Sequence, residues 1–408
     1  MSFINLIETK QLVIYGTGNT GIEFYNKFRN VIKIDSCTSS DNEVVPLLGT
    51  NAVKHEELDK SKSLLIICSI HYDEIRRNLM MQGWKQNVNF MRWDIFETLY
   101  EAEQNKKQII VAIGQCEIRE MRDVFVRVPS FMKKYAIIYF DERKVCICGD
   151  RFDILEYYDC AFVLGRADIF FRPSVMTPKS VQSFEYLQKN ISSQCSVIKV
   201  SLFIFDSYWP QDIAKDRETN ELYVARPDTK IAAFVESERV IGKMLEAGNS
   251  NREIKERITR EDFLDKDLVC DNHKKALKRI RLSDKLSDIK VYDFTANYFD
   301  KMKLFCDRGH FNENMLKEYI RNVFVYLQED ESIKELEKID ISDIFSTVNE
   351  LPIYPSTAKI LDLQWVDTHT LYRMNINNVV KMVTFDEYMD VALEYYSIAY
   401  KLIKICYK

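Results

Sequence analysis

The sequence predicts an α/β protein in two parts: a parallel-sheet unit over 1–105, then a larger α/β unit over 106–408 whose C-terminal part is helical. Three observations carry this expectation. Short β-branched runs alternate with stretches of helical spacing from Leu12 to about residue 205, as strand–helix–strand layers do. A glycine-rich turn follows the first of these strands and opens a helix. From Ala232 onward the apolar residues recur at helical intervals. A chain of 408 residues also exceeds one typical core, so two domains are expected.

In the first part, Leu12 to Tyr15 reads as a strand and Ile22 to Phe28 as a helix, joined by a Gly-x-Gly-x-x-Gly turn at Gly16, Gly18 and Gly21. A second strand, Val31 to Ile34, ends at Asp35. Leu64 to Cys68 gives a third, followed by a helix from Tyr72 to Gln82 that stops at Gly83. Asn87 to Met91 adds an edge strand. Such glycines let the backbone approach a phosphate at the helix N-terminus, and Asp35 is placed to accept from a ribose hydroxyl. Gly16, Gly18, Gly21 and Asp35 are therefore candidate ligands of a nucleotide or nucleotide-sugar. The alternative is that the glycines serve only tight strand–helix packing. With about two βα repeats and no second mononucleotide half, a dehydrogenase is not favoured. The segment resembles the Rossmann-like N-terminal domain of PglD-type sugar acetyltransferases, which implies a UDP-sugar site. The polar stretch from Tyr100 to Lys107 marks the expected boundary near 105/106.

The second part opens with Gln108 to Gly114, an apolar run that reads as a strand buried on both faces. Ile118, Met121 and Phe125 then recur at helical spacing, which puts Cys116 in the first turn of a helix, where free N–H groups and the macrodipole stabilise a thiolate. Tyr135 to Phe140, Cys160 to Leu164 and Ser196 to Phe205 are expected as further strands. Ser250 with Glu253, and Thr384 with Glu387, have the capping-box spacing. Asp307 and His310 lie three apart across a glycine, so a turn can bring carboxylate to imidazole. A basic helical segment carries Lys274, Lys275, Lys278, Arg279 and Arg281, enough cations to hold phosphates. Arg166 and Arg172, in an expected loop, are alternative phosphate ligands. Each feature also has a plain structural reading: a small buried thiol, a histidine with a surface partner, a solvated helix face.

Bulk properties exclude several classes. The net charge of −5 gives no reason to expect a nucleic-acid partner. No apolar run approaches the length of a membrane span, and the first residues do not form a signal peptide. Ten cysteines occur without a Cys-x-x-Cys pair, with Cys146 and Cys148 the only close couple. Reduced cytoplasmic thiols are expected, with no disulfide framework and no metal site.

The Gly-Gln-Cys turn ending at Cys116 resembles the Gly-Asn-Cys start of the WcbI-type polysaccharide acetyltransferases. The segment from Leu304 to His310, the Trp209–Pro210 pair and the stretch from Leu351 to Pro355 are similar to that family too. The layout, an early nucleophile turn and a late Asp-x-x-His, is also similar to the SGNH hydrolases. Gln115 stands where Asn or Asp is usual, and Phe311 where proline commonly follows the histidine. The resemblance implies an SGNH-like α/β domain that transfers an acyl group, acetyl in the first instance, from coenzyme A to a sugar hydroxyl of a polysaccharide or its precursor. It implies His310, oriented by Asp307, as the base that deprotonates either Cys116 for a covalent acyl-enzyme or the sugar hydroxyl directly, with Gln115 beside the oxyanion. An SGNH-type esterase or deacetylase, and a non-catalytic nucleotide-sugar-binding protein, are the competing expectations.

Overall fold

The chain enters through a short helix, α1 (Phe3–Glu8), capped by the Ser2 side chain, which accepts from the Asn5 N–H at 3.1 Å. It then forms β1 (Gln11–Tyr15), buried along all but its first residue. The computed structural model describes residues 2–39, 46–47, 50–145, 157–174, 184–185, 187–201, 204–210, 239–346, 348–376 and 379–406. These divide into two compact units, Met1–Lys199 and Val200–Lys408.

In the first unit, β1 is followed by α2 (Asn19–Phe28), β2 (Ser36–Thr38), β3 (Asn51–Ala52), β4 (Ser63–Ile67), α3 (Tyr72–Met81), β5 (Phe90–Arg92) and α4 (Trp93–Gln104). The strands make one parallel sheet in the order β3-β2-β1-β4-β5. Strand order therefore reverses between β1 and β4, which opens a crevice at their carboxyl ends. Two details differ from expectation. The two-residue β3 is too short to read from sequence. The second strand also begins after Asp35 instead of ending there. Val31 and Ile32 are spent on the turn that closes α2, both donating to the Phe28 carbonyl.

A second parallel sheet follows, built from β6 (Gln108–Gly114), β7 (Tyr135–Asp141), β8 (Ile169–Pro173) and β9 (Ser196–Val200), in the order β7-β6-β8-β9. Its helices are α5 (Cys116–Phe125), α6 (Pro129–Lys134), α7 (Glu142–Val145) and α8 (Tyr157–Leu164). The expected strand from Cys160 to Leu164 is instead part of α8. Cys160, Val163 and Leu164 are buried at positions i, i+3 and i+4, a helical face that a five-residue apolar run cannot distinguish from a strand. The third strand is β8, where a loop was expected. The strand expected to reach Phe205 stops at Val200.

Both sheets of this unit share one core. A single buried cluster runs from Phe24, Phe28 and Phe96 to Val111, Ile113, Phe140 and Phe170, and α4 packs against β7 as well as β5. The helix that ends the expected first domain thus supplies apolar surface to the sheet that follows it. Position 105/106 lies inside the first unit.

The second unit is mainly helical, as expected. The expected start at Ala232 lies outside the described residues, and the first described helix is α9 (Arg239–Glu246). Then come α10 (Asn251–Ile258), α11 (Lys266–Asp284), α12 (Tyr292–Tyr298), α13 (Glu313–Leu327), α14 (Asp330–Leu336), α15 (Pro355–Ile360) and, at the end, α16 (Phe385–Cys406). The Ser250–Glu253 and Thr384–Glu387 capping boxes form. An antiparallel hairpin that the sequence did not suggest, β10 (Tyr372–Ile376) and β11 (Val379–Val383), precedes α16. The core is aromatic: Tyr208, Trp209, Tyr319, Tyr354 and Tyr372 are among the largest fully buried side chains. The chain is thus an α/β protein with two parallel sheets. Among the described residues no helix is long and apolar enough to cross a membrane, and no acidic, histidine and cysteine cluster could hold a metal ion.

Candidate functional site

Cys116 is the first residue of α5, directly after the turn that leaves β6. Gly114 makes this turn possible: a Cβ there would lie 2.2 Å from Cγ1 of Ile118, so a side chain would push the helix off the strand end. The helix ladder begins with the Arg119 N–H donating to the Gln115 carbonyl at 3.1 Å. The N–H groups of Cys116, Glu117 and Ile118 precede that ladder and make the N-terminal positive end. The thiol is free and half-buried, as an accessible nucleophile should be. The other cysteines with described side chains are free thiols too.

The turn is held from β7. Tyr139 donates its hydroxyl to the Gly114 carbonyl at 3.0 Å and, as a second partner, the Gln115 carbonyl at 3.2 Å. Burial, reinforced by the Asp141 charge, pushes the Tyr139 phenol well above its ordinary range, so it stays protonated as a donor. Gly114 is in register with Asp141, which sets Gln115 beside the buried Glu142. The Gln115 amide donates to that carboxylate at 3.4 Å, a weak bond that steers one of its two N–H groups. Sequence reasoning found neither Tyr139 nor Glu142. The Asp141–Glu142 pair at a strand's carboxyl end was the available signal.

Strand order in this sheet reverses between β6 and β8, so the crevice of the switch point opens beside the Cys116 turn. Ala112 is in register with Phe171, which puts Arg172 at the same carboxyl end. Its guanidinium lies over the Phe184 ring at 4.4 Å and donates to the Pro173 carbonyl at 3.1 Å. Arg166 is excluded from that crevice. It precedes β8, at the sheet's amino end, where the neighbouring Asp168 accepts from the Ile109 N–H at 2.7 Å. Arg166 instead stacks on Phe162 at 3.8 Å and donates to its carbonyl, and burial lowers its pKa.

In the second unit the expected Asp-x-x-His pair forms. Oδ2 of Asp307 lies 2.7 Å from Nδ1 of His310, and Oδ1 accepts the backbone N–H groups of Gly309 and His310 at 2.8 and 2.9 Å. The loop is closed by a bridge between Phe305 and Phe311 and by the Cys306 N–H donating to the His310 carbonyl at 2.9 Å. Asn312 then caps α13, accepting from the Met315 N–H. Phe311, where proline was the expected residue, is a buried anchor whose ring packs on Tyr319. With Nδ1 held against the carboxylate, Nε2 is the basic nitrogen of the ring, and the side chain is 34% exposed.

The basic segment lies on α11, and Lys274, Lys275, Lys278, Arg279 and Arg281 are all exposed. Arg279 is paired with Asp206 at 3.1 Å, and Arg281 lies over Tyr292. His273, on the inner side, has Nδ1 2.7 Å from Ser207 Oγ, but Ser207 is fully buried and the pair is structural.

At the glycine turn of β1, packing accounts for two of the three glycines. Gly16 has φ 108°, and a Cβ on Gly21 would meet the Gly16 carbonyl oxygen at 1.9 Å. Only Gly18 faces open space, with no heavy atom within 4 Å of an added Cβ. Asp35 does not belong to this group. It stands at the amino end of β2, where it accepts from the Leu12 N–H at 3.0 Å and pairs with Lys33 at 2.7 Å. The strand lengths separate it from the glycine turn at the opposite end of the sheet, so it does not serve a ribose bound there.

The free, half-buried thiol at a sheet switch point and the separate carboxylate–imidazole pair are the reactive side chains that this α/β protein presents in its two units. In fold, the chain is similar to WcbI, described as a novel polysaccharide biosynthesis enzyme and solved in a native form without a disulfide bond between coenzyme A and one of its cysteines. The two align with a TM-score of 0.53 and 12% identity, over 72% of this chain and 93% of that one. No protein-family profile and no curated protein sequence matches the chain.

Proposed function

We propose that this protein is an acyltransferase of polysaccharide biosynthesis, moving an acyl group from coenzyme A to a sugar hydroxyl. One observation carries the reading. The half-buried Cys116 thiol starts α5 at the switch point of the second sheet, in a chain whose fold is similar to that of WcbI, solved without a disulfide bond between coenzyme A and one of its cysteines.

In this reading the Cys116 thiolate attacks the thioester carbonyl of acyl-coenzyme A. The carbon–sulfur bond to coenzyme A breaks, the leaving thiolate takes the proton that Cys116 gave up on ionising, and an acyl–Cys116 thioester remains. The sugar hydroxyl then attacks that carbonyl, the carbon–sulfur bond to Cys116 breaks, and the departing thiolate takes up the hydroxyl proton. The Cys116 thiol is restored and a sugar ester is the product. The N–H groups of Cys116 and Glu117, with the second N–H of Gln115, face the oxyanion, each good donor lowering the barrier by roughly 3 kcal/mol. Arg172, at the carboxyl end of β8, is the cation that the reading assigns to the phosphates of coenzyme A.

The test is mass spectrometry of the full chain mixed with acetyl-coenzyme A and no acceptor. The expected result is one acetyl group on the peptide that holds Cys116, absent from Cys116→Ala. Unchanged transfer by Cys116→Ala would overturn the thioester route. Release of acetate from an acetylated glycan without coenzyme A would favour an esterase instead.

A further inference from the structure

The cations of α11 have no part in the acyl-transfer reading, and their surroundings suit a different partner. One side of the helix is fixed to its unit: Val269, Ala276, Ile280 and Ser283 are buried. With 3.6 residues per turn, the outward side carries two neighbouring ridges. Lys274, Lys278 and Arg281 form one, and Lys275, Arg279 and Leu282 the other; Lys285, the C-cap, and Leu286 follow in the turn that ends the helix. Leu282 and Leu286 are 49% and 58% exposed, large apolar side chains left in water between cations.

Acidic groups are sparse on this surface, and the exposed Asp288 lies three residues beyond Lys285. Asp265, Asp267 and Asp271 belong to the first two turns, and Asp284 points inward, accepting from Ser201 and from the N–H groups of Val291 and Tyr292. Lys274 is 3.9 Å from Asp271, and Arg279 pairs with Asp206. Among the described residues, Lys275, Lys278 and Lys285 have no carboxylate partner. A chain of net charge −5 therefore holds a local excess of positive charge along roughly 15 Å of helix and the turn that follows it.

We infer that this face of α11 docks on an anionic bilayer surface. Phospholipid phosphates neutralise the lysines, and Leu282 and Leu286 enter the head-group layer. The leucines decide the class of partner. They contribute nothing to a free phosphate or to coenzyme A, and a single-stranded nucleic acid would be met by stacking rings in their place. The cations are also strung along the helix instead of converging on one point, which fits a plane of charges better than one polyphosphate.

Sedimentation with lipid vesicles tests this on the full chain. Vesicles containing phosphatidylglycerol are expected to carry the protein down, pure phosphatidylcholine vesicles are not, and added salt releases it. Lys275→Gln with Lys278→Gln and Lys285→Gln is expected to lower the partition coefficient about a hundredfold. Leu282→Ser with Leu286→Ser, which keeps every charge, is expected to lower it about tenfold. Unchanged circular dichroism would show that both variants fold. Equal binding to neutral vesicles, or none to anionic ones, would overturn the inference. So would a leucine variant that binds like the wild type while inorganic phosphate or an RNA oligonucleotide competes. The readout is partition and not turnover, so it stands apart from the acyl-transfer proposal.

Discussion

Asp307 holds His310 twice: its Oδ2 lies 2.7 Å from the ring Nδ1, and its Oδ1 accepts the backbone N–H of the same residue at 2.9 Å. One carboxylate therefore shapes the loop and orients the imidazole. The two roles separate by substitution. Asp307→Asn keeps an acceptor for the loop but removes the charge, and is expected to change the melting temperature little. Asp307→Ala also releases the Gly309 and His310 N–H groups and is expected to cost about 2–4 kcal/mol in denaturant titration. A melting temperature for Asp307→Asn as low as that of Asp307→Ala would show that the charge, and not the acceptor, holds the loop.

The first glycine turn separates folding from binding in the same way. Gly21→Ala drives a Cβ against a backbone oxygen at 1.9 Å and is expected to destabilise the chain by about 3 kcal/mol or more. Gly18→Ala meets nothing within 4 Å, and the residue has φ −74°, so its cost is expected to stay near 1 kcal/mol. Gly18→Ala is therefore the informative variant for calorimetry with a UDP-sugar. Binding that survives it unchanged would leave the turn with a packing role only.

Removing the Tyr139 hydroxyl withdraws the donor shared by the Gly114 and Gln115 carbonyls. Tyr139→Phe is expected to lower stability by about 1–2 kcal/mol and to change the rate at which iodoacetamide modifies Cys116, measured against the half-buried Cys195. Identical melting and identical alkylation would mean that the turn holds its shape without the hydroxyl.

His273 gives a pH dependence with a definite sign. Burial lowers its pKa below the ordinary 6.5, against a smaller opposing effect of Asp300. The unfolded chain therefore takes up a proton at this position before the folded one does. The stability linked to His273 is complete above pH 6.5 and is lost as the pH falls from there toward the folded value. Melting temperature is expected to drop between about pH 7 and pH 5, and His273→Gln is expected to flatten that slope. An equally steep slope in the variant would assign the acid sensitivity to other groups.

The chemistry-bearing turns were legible because their signals are local. A β-branched run, a glycine and a change to helical spacing put Cys116 on the first residue of α5, and a three-residue interval across Gly309 joined Asp307 to His310. What escaped depends on neighbours distant in sequence. The start of β2 was set by the turn closing α2, which took Val31 and Ile32 and moved Asp35 to the wrong end of the sheet for a ribose. The helical state of Cys160 to Leu164 is fixed by tertiary burial. Tyr139 and Glu142 meet the Cys116 turn only through the register of β6 with β7, and Arg166 and Arg172, six residues apart, were separated by a strand read as a loop.

Because Phe96 and Tyr100 belong to the same apolar cluster as Val111 and Phe140, the first hundred or so residues are not a detachable accessory. Severing the chain at 105/106 would leave a greasy scar on both fragments, and neither is expected to stay monodisperse alone. Recombination that exchanged the glycine-turn sheet between relatives would have to carry matching residues of β6 and β7 with it.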